Sequence, residues 1–188
     1  DYTRQWLRKR SAHRPAYLIA AEGGGIRAAY WSAMLLSRLQ DSDGEFANDI
    51  FMLSGVSGGA LGLATFAAAN ASIQECSGRS YSSVAGAFLG RSYLAPVMAG
   101  MMFPDLFQRF LPFPIYAFDR SHAVEEAWED TWLETCGQQT FSVPLQRLYA
   151  KKSGPILFLN STEVETGKRV IMAPVRFQGF STDAVEAG

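Results

Sequence analysis

The sequence predicts an α/β fold with a central, mostly parallel sheet flanked by helices. Two short apolar runs, residues 16–21 and 50–53, each lead into a glycine-rich turn and then into a long helical stretch. The order strand, helix, strand, helix is typical of βαβ units, whose strands lie parallel. Ligands bind such sheets at the carboxyl ends of the strands, and both glycine-rich turns belong to that edge.

The first four elements follow from apolar patterning. Residues 16–21 form an apolar run bounded by a proline and by glycines, which suits a buried parallel strand. The helix over 26–40 carries apolar residues nearly all round, so we expect it to be buried rather than to lie on the surface. An Asp-Ser-Asp-Gly turn ends it, the strand at 50–53 follows, and a small-residue helix extends over 57–70.

The rest of the chain is predicted to be helical at first and then to return to strands. The helical region comprises helices over 80–91 and 93–110, an extended linker over 111–114, and a helix that begins near Asp119 or Ser121. The last helix carries Trp128 and Trp132 at helical spacing, and both are expected in the core. Two strands, 155–160 and 169–173, are predicted to pair across a turn at 166–167.

Composition describes a globular chain with no strong charge. Of its 188 residues, 48% are hydrophobic and 19% charged, and the formal net charge of −1 provides no basic field for nucleic acid. Cys76 and Cys136 are far apart in sequence and have no metal-ligand spacing, so no metal site is expected, and a disulfide between them is an alternative that we do not favour. We expect a piece of a longer protein, with a basic N-terminal helix or linker at 1–14 and the N-terminal portion of one domain at 15–188.

Residues 55–59, Gly-Val-Ser-Gly-Gly, fit the pattern G-x-S-x-G that is known as the nucleophile elbow. Small residues on both sides of Ser57 let a strand turn sharply into a helix and expose the hydroxyl. A base must take the serine proton and donors must stabilise the oxyanion, and the Gly58 N–H is one such donor. The alternative is a turn needed only for packing. The apolar strand before it and the small-residue helix after it favour a nucleophile.

Gly23, Gly24 and Gly25 form a second cluster upstream of the elbow. Three consecutive glycines are costly in backbone entropy, which indicates that backbone N–H groups approach an anion at a helix N-terminus. That anion is either a phosphate or a tetrahedral oxyanion, and the phosphate alternative lacks both a P-loop sequence and the last glycine of G-x-G-x-x-G. Arg27 is predicted to anchor this loop rather than to bind substrate.

A conventional catalytic triad needs a histidine, and the chain has only His13 and His122. His13 precedes the first strand and His122 lies near the start of a helix, so neither occupies a loop after a strand. The base is therefore expected to be an aspartate in a Ser–Asp dyad.

Together these residues resemble the patatin-like phospholipase family. That family carries D-G-G-G-x-R-G after its first strand, G-x-S-x-G on the elbow, and a catalytic aspartate in a later D-G-[GA] motif. Residues 22–28 match the first motif except that Glu22 replaces Asp and Ala28 replaces the last Gly, and the elbow matches in full. The run that begins Asn160-Ser161 is similar to the strand and turn before the family's aspartate. The resemblance is strong over 16–71 and weak toward residue 173.

The family's catalytic aspartate has no match in this chain. No Asp-Gly-Gly or Asp-Gly-Ala follows Gly167, and the last aspartate, Asp183, is not expected to be the base. The resemblance therefore implies that the aspartate lies beyond residue 188 and that this chain alone is inactive or nearly so.

The resemblance implies a three-layer hydrolase that cleaves acyl esters of phospholipids or related lipids, as a phospholipase A or lysophospholipase does. Ser57 would be the nucleophile, and the oxyanion hole would use the N–H groups of Gly23, Gly24, Gly25 and Gly58. No metal or organic cofactor is implied, and the expected partners are an acyl-ester lipid and a membrane surface. The expected location is cytoplasmic or peripheral at a membrane. The alternatives are an acyltransferase with the same serine and a non-catalytic lipid-binding or scaffold domain.

The stretch 93–113 is rich in Met and Phe, which adapt to irregular apolar shapes. It either packs as ordinary core and lid, which we favour, or it lines an acyl-chain channel or touches a lipid surface. Prolines and charged residues interrupt it, so it lacks the ~18 consecutive apolar residues of a membrane-spanning helix.

Overall fold

The computed structural model describes residues 2–9, 13–113, 115, 120–145, 147, 154–174 and 184–187. Within them a five-stranded sheet carries helices packed against it. The helices are α1 (Tyr2–Lys9), α2 (Gly25–Ser42), α3 (Phe46–Asp49), α4 (Gly58–Ser72), α5 (Tyr81–Leu89), α6 (Leu94–Met102), α7 (Pro104–Gln108) and α8 (Arg120–Cys136), with 3₁₀ turns at Ile73–Glu75 and Thr140–Ser142. The strands are β1 (Tyr17–Ala21), β2 (Ile50–Val56), β3 (Ile156–Thr162), β4 (Arg169–Met172) and β5 (Ala184–Ala187).

The sheet is mixed and mostly parallel, in the order β1-β2-β3-β4-β5. Strands β1, β2 and β3 run parallel, β4 runs antiparallel to β3, and β5 runs parallel to β4. The predicted α/β class is confirmed, and so is the predicted pairing of the strands on either side of residues 166–167. Because β2 and β3 are parallel neighbours, their carboxyl ends meet at one edge of the sheet.

The expected burial of β1 and α2 is wrong. β1 is an edge strand that pairs only with β2 within the described part of the chain, and Leu18 is 66% exposed. Helix α2 buries Ala29, Ala33 and Leu36 against its neighbours, whereas Trp31 on another face is 67% exposed. Small residues on one face let α2 approach α4 and α5 closely, and this arrangement leaves the large apolar residues of the other face uncovered.

Helix α4 is the element on which the core is built. Its Leu63 and Phe66 are fully buried against the sheet residues Ile50, Leu53 and Leu157. A shift in the register between β1 and β2 lets Ile50 and Leu53, three residues apart, join the same buried cluster. The other side of α4 packs with α2, α5 and α8 around a second cluster that is centred on Phe88 and Trp132. Trp132 is fully buried and Trp128 is half-buried beside this cluster.

Cys76 and Cys136 form a disulfide, which is the alternative that the sequence did not favour. Cys76 follows the 3₁₀ turn after α4, Cys136 is the last residue of α8, and both are buried. Helices α4 and α8 both pack against α5, and this tertiary contact brings their carboxyl ends together. The spacing of the cysteines in the sequence carries no sign of it.

The Met- and Phe-rich stretch is mostly exposed, so the favoured expectation of core packing is wrong for it. It forms two short helices, α6 and α7, and the only buried residue of α6 is Gly100. The exposed apolar side chains, which we call the 94–113 strip, are Leu94, Met98, Met101, Met102, Phe103, Leu106, Phe107, Phe110, Leu111 and Phe113. Pro114 and Asp119, at the predicted linker end and helix start, lie outside the described residues. No helix in the described part is long and apolar enough to cross a bilayer.

The N-terminal helix α1 contacts the sheet directly. The ring centroid of Trp6 lies 5.0 Å from that of Phe51, and the Tyr2 hydroxyl donates a hydrogen bond of 2.6 Å to the carbonyl of Gly154. Farther along, Arg14 pairs with Asp43 and with the buried Asp49, its Nε lying 2.5 Å from the Asp49 carboxylate. The predicted helix is confirmed, and the division of the chain at residues 14 and 15 stays a prediction.

Candidate active site

Ser57 stands at the junction between β2 and α4 in an unusual backbone conformation. Its φ of 53° and ψ of −127° lie in a region that residues other than glycine rarely adopt, at a cost of about 1–3 kcal/mol. A Cβ built on Gly55 would lie 2.6 Å from the Cα of Ala60, so the turn is too tight for a larger residue there. Ser57 is exposed, and its hydroxyl has no hydrogen-bond partner among the described residues.

The glycine cluster at 23–25 packs directly against this turn. A Cβ built on Gly58 would lie 1.9 Å from the carbonyl oxygen of Gly25, so the two backbones touch. Gly25 has φ +61°, a conformation that favours glycine. A Cβ on Gly23 would lie 3.3 Å from the Cβ of Ser57 and 3.8 Å from its Oγ. The structure therefore brings together two glycine-rich turns that are separated in the sequence.

Two helix N-termini meet beside Ser57. Helix α2 begins at Gly25 and α4 begins at Gly58, and neither end has a side chain that caps it. The first N–H groups of a helix have no acceptor inside the helix, and the helix dipole places partial positive charge there. Such an arrangement can stabilise negative charge on an oxygen atom held near Ser57.

Asn160 ties the carboxyl end of β3 to the same turn. Its Nδ2 donates to the Oγ of Ser54 over 3.0 Å and to the carbonyl of Gly55 over 3.1 Å. These bonds hold β3 beside β2 just before the sharp turn at Ser57. The sequence indicates Asn160 only as part of a strand and turn and not as a site residue. Its place at the end of a strand next to the elbow could have identified it.

A cavity of about 560 Å³ opens beside Ser57. Its walls come from one face of α4, from α8 and the segment after it, and from β3 and β4. The lining residues are Ser57, Ala60, Leu61, Ala64, Ala67, Ala68, Trp128, Thr140, Phe141, Val143, Leu145, Leu157, Leu159, Asn160, Ser161 and Met172. Twelve of these sixteen side chains are apolar, so the interior suits a hydrocarbon group rather than a sugar or a charged molecule.

No described histidine or carboxylate lines this cavity. His122 lies on α8, 4.0 Å from Glu126, and Asp41 accepts the N–H groups of Tyr81 and Ser82 at the start of α5. The Arg14 guanidinium engages Asp43 and holds the pKa of that carboxyl below its usual value. Asp183 lies outside the described residues.

The Arg27 side chain is exposed in the first turn of α2, and no hydrogen bond or ion pair joins it to the described part of the chain. Its role as a loop anchor stays a prediction. Within the described ranges, no group of three or more His, Cys, Asp or Glu side chains is placed to hold a metal ion.

Comparison with known proteins yields a structural likeness alone. No family model matches the chain, and no curated protein matches it significantly. It is similar to solved structures of human GIVD cytosolic phospholipase A2 in complex with methyl gamma-linolenyl fluorophosphonate, one of them also with terbium chloride. The identity is 19% and the TM-score 0.47 in each case. The match covers 92% of this chain and 26% or 25% of the other, so this chain spans about a quarter of that length.

Proposed function

We propose that this protein is a serine lipid acyl hydrolase of the patatin-like type, with Ser57 as its nucleophile. The observation that carries the proposal is an exposed serine in a strained turn at an apolar cavity, with two uncapped helix N-termini beside it. A nucleophile needs exposure, a neighbouring site for an oxyanion, and room for the rest of the substrate. Ser57 combines these three features.

The reaction proceeds in two steps. The Ser57 oxygen attacks the ester carbonyl and loses its proton to the base, and the tetrahedral intermediate places its negative oxygen near the N–H groups of Gly23, Gly24, Gly25 and Gly58. The ester C–O bond then breaks, the alcohol leaves with a proton, and an acyl-serine remains. Water attacks this acyl group in the second step and releases a carboxylic acid and free Ser57.

The base in this proposal is an aspartate beyond residue 188. No described carboxylate lines the cavity, and no histidine does so either, which supports a base from elsewhere in the protein. The substrate class is a phospholipid, a lysophospholipid or a related acyl-ester lipid, because the cavity suits a hydrocarbon chain while Ser57 faces the solvent.

The proposed partner surface is a lipid membrane, contacted through the 94–113 strip. Its side chains are large, apolar and exposed, as in segments that insert at a membrane interface. The residue before the strip, Tyr93, has its ring centroid 6.4 Å from that of Trp128, which lines the cavity. We therefore propose that a substrate leaving the bilayer enters the cavity from the Leu94 end of the strip.

Labelling of the full-length protein with a fluorophosphonate ester tests this proposal. Ser57→Ala should abolish labelling, whereas Ser77→Ala should retain it. Ser77 is a matched control, since it is exposed and has φ +55° but does not line the cavity. Undiminished labelling of the Ser57→Ala variant would exclude Ser57. Lipid binding without labelling of the wild type would favour a non-catalytic lipid-binding domain, and transfer of the acyl group to an added alcohol would favour an acyltransferase.

A further inference from the structure

The cavity extends away from Ser57 along one face of helix α4. After Ser57, the residues of α4 that line the cavity are Ala60, Leu61, Ala64, Ala67 and Ala68. Their spacing of three and four residues places them on one side of the helix. The cavity therefore follows α4 for three turns, starting at the serine.

The length of this face is that of a long acyl chain. Ala68 lies eleven positions after Ser57, which corresponds to about 16 Å along the helix axis. One leaflet of a bilayer has a hydrocarbon thickness of about 15 Å, and a membrane acyl chain spans it. A chain attached to a carbonyl at Ser57 would thus reach the level of Ala68.

The polar residues of the lining are concentrated at one end of the cavity. Asn160 and Ser161 belong to the carboxyl end of β3, next to Ser57, while Leu157 lies farther down the same strand. Among the lining residues, Thr140 is the one polar side chain outside this end. The ester would lie at the Ser57 end, and the hydrocarbon would extend toward Ala68.

The far end of the lining lies beside buried residues of the core. Ala68 is 4% exposed and belongs to the cluster that contains Trp132 and the Cys76–Cys136 disulfide. Trp128 and Phe141 line the cavity and pack against this same cluster. This disulfide-linked core packs around the Ala68 end of the lining, where it would restrict the length of chain that can enter.

We propose that Ala64 on α4 and Trp128 on α8 determine which acyl-chain lengths this protein accepts. The inference rests on the proposed function and adds the specificity of the site. The small side chain of Ala64 leaves space midway along the α4 face of the cavity, and the indole of Trp128 contributes to the lining from α8. Enlarging the first residue would shorten the preferred chain, and reducing the second would admit longer or bulkier chains.

The test compares p-nitrophenyl butyrate, octanoate and palmitate as substrates of the full-length protein. The wild type should have its highest kcat/KM with the longer esters. Ala64→Leu should lower the palmitate-to-butyrate ratio of kcat/KM about tenfold or more, the size of effect that a few methylene groups have in an apolar pocket. Ala71→Leu is the control, because Ala71 lies on α4 and is half-buried but does not line the cavity.

Binding provides a second measurement that needs no turnover. In a Ser57→Ala background, Ala64→Leu should weaken palmitate binding more than octanoate binding in calorimetric titrations, whereas Trp128→Leu should strengthen palmitate binding relative to octanoate binding. An unchanged ratio in both assays would overturn the assignment of Ala64 and Trp128. If the wild type hydrolyses none of the esters while the binding profile still shifts, the hydrolase proposal fails and the cavity assignment stands.

Discussion

At the scale of single residues, the backbone of Ser57 is the feature that most needs a functional reason. A serine at φ 53° and ψ −127° is destabilising, and the neighbouring close contacts of Gly55 and Gly58 hold it there. Natural proteins keep such strain where it presents a reactive group. The strained backbone and the exposed hydroxyl of Ser57 therefore both indicate a reactive serine.

Glycine should relieve this strain. We expect Ser57→Gly to be about 1 kcal/mol more stable than Ser57→Ala, because alanine retains a Cβ in a conformation that favours glycine. Chemical denaturation of both variants measures the difference in the free energy of unfolding. Ser77→Gly and Ser77→Ala form the matched pair at the other described serine with positive φ. Equal stability of the two Ser57 variants would show that the turn is not strained.

At the level of helices and strands, the disulfide links α4, which lines one side of the cavity, to α8, which carries the lining residue Trp128. Cys76 follows α4 and Cys136 ends α8, and the 3₁₀ turn with Thr140 and Phe141 comes shortly after Cys136. The bond thus supports both sides of the cavity, although no cysteine lines it.

Reduction should therefore destabilise the protein. Opening the disulfide should lower the free energy of unfolding by about 2–4 kcal/mol, mainly because the unfolded chain is less constrained. The measurement is denaturation with and without a reducing agent. The Cys76→Ser, Cys136→Ser double variant is the control, since it should not respond to reduction. Two free thiols in the unreduced, denatured protein would contradict the bond.

Helices α6 and α7 contain most of the side chains that we propose to contact the membrane. Replacing Phe107 and Phe110 by serine should weaken binding to phosphatidylcholine vesicles about tenfold or more, since burial of one large apolar side chain contributes about 1.5–3 kcal/mol. Vesicle co-sedimentation measures the change. Leu7→Ser on α1 is the control, because Leu7 is 53% exposed but lies outside the 94–113 strip. Equal binding by all variants would remove the strip from the interface.

At the scale of the whole molecule, stability should fall in alkaline solution. Burial raises the pKa of Tyr93 to about 12 from its ordinary value of 10.0, and burial raises the pKa of Tyr2 likewise to about 12. Between pH 10 and 12 the unfolded chain loses these protons before the folded chain does, so the folded state is progressively disfavoured. Below pH 10 the contribution is complete.

Denaturation at pH 9 and at pH 11 tests this dependence. Tyr93→Phe should reduce the loss of stability between the two pH values, because the phenol that titrates is gone. The same variant should cost about 1 kcal/mol at neutral pH, where the hydroxyl donates a hydrogen bond of 2.6 Å to the carbonyl of Phe88. An identical alkaline loss in the variant would mean that Tyr93 does not titrate in this window.

The sequence predicts the parts of this molecule that local patterns encode. The strands at 17–21 and 50–56 and the helices after them follow from apolar runs and glycine turns, and the fold class follows from their order. The exposure of Trp31 and the strip, and the disulfide at Cys76, depend on which elements become neighbours. A local pattern does not contain that information. For this reason the sequence wrongly predicted burial of α2 and of the strip, and it did not favour the disulfide.

The candidate site likewise contains residues that the sequence predicts and residues that only the tertiary structure identifies. The motif around Ser57 and the cluster at 23–25 are visible in the sequence, and the strand order explains why they meet. The contribution of Asn160 and the cavity wall at Trp128 and Phe141 arises from contacts between distant segments, which only the tertiary structure provides.

The position of a covalent adduct tests most directly whether Ser57 is the nucleophile. The full-length protein would be treated with a long-chain alkyl fluorophosphonate, digested, and examined by peptide mass spectrometry. The account predicts one adduct, on Ser57, that is lost in Ser57→Ala and retained in Ser77→Ala. An adduct on another serine, with Ser57 unmodified, would contradict it.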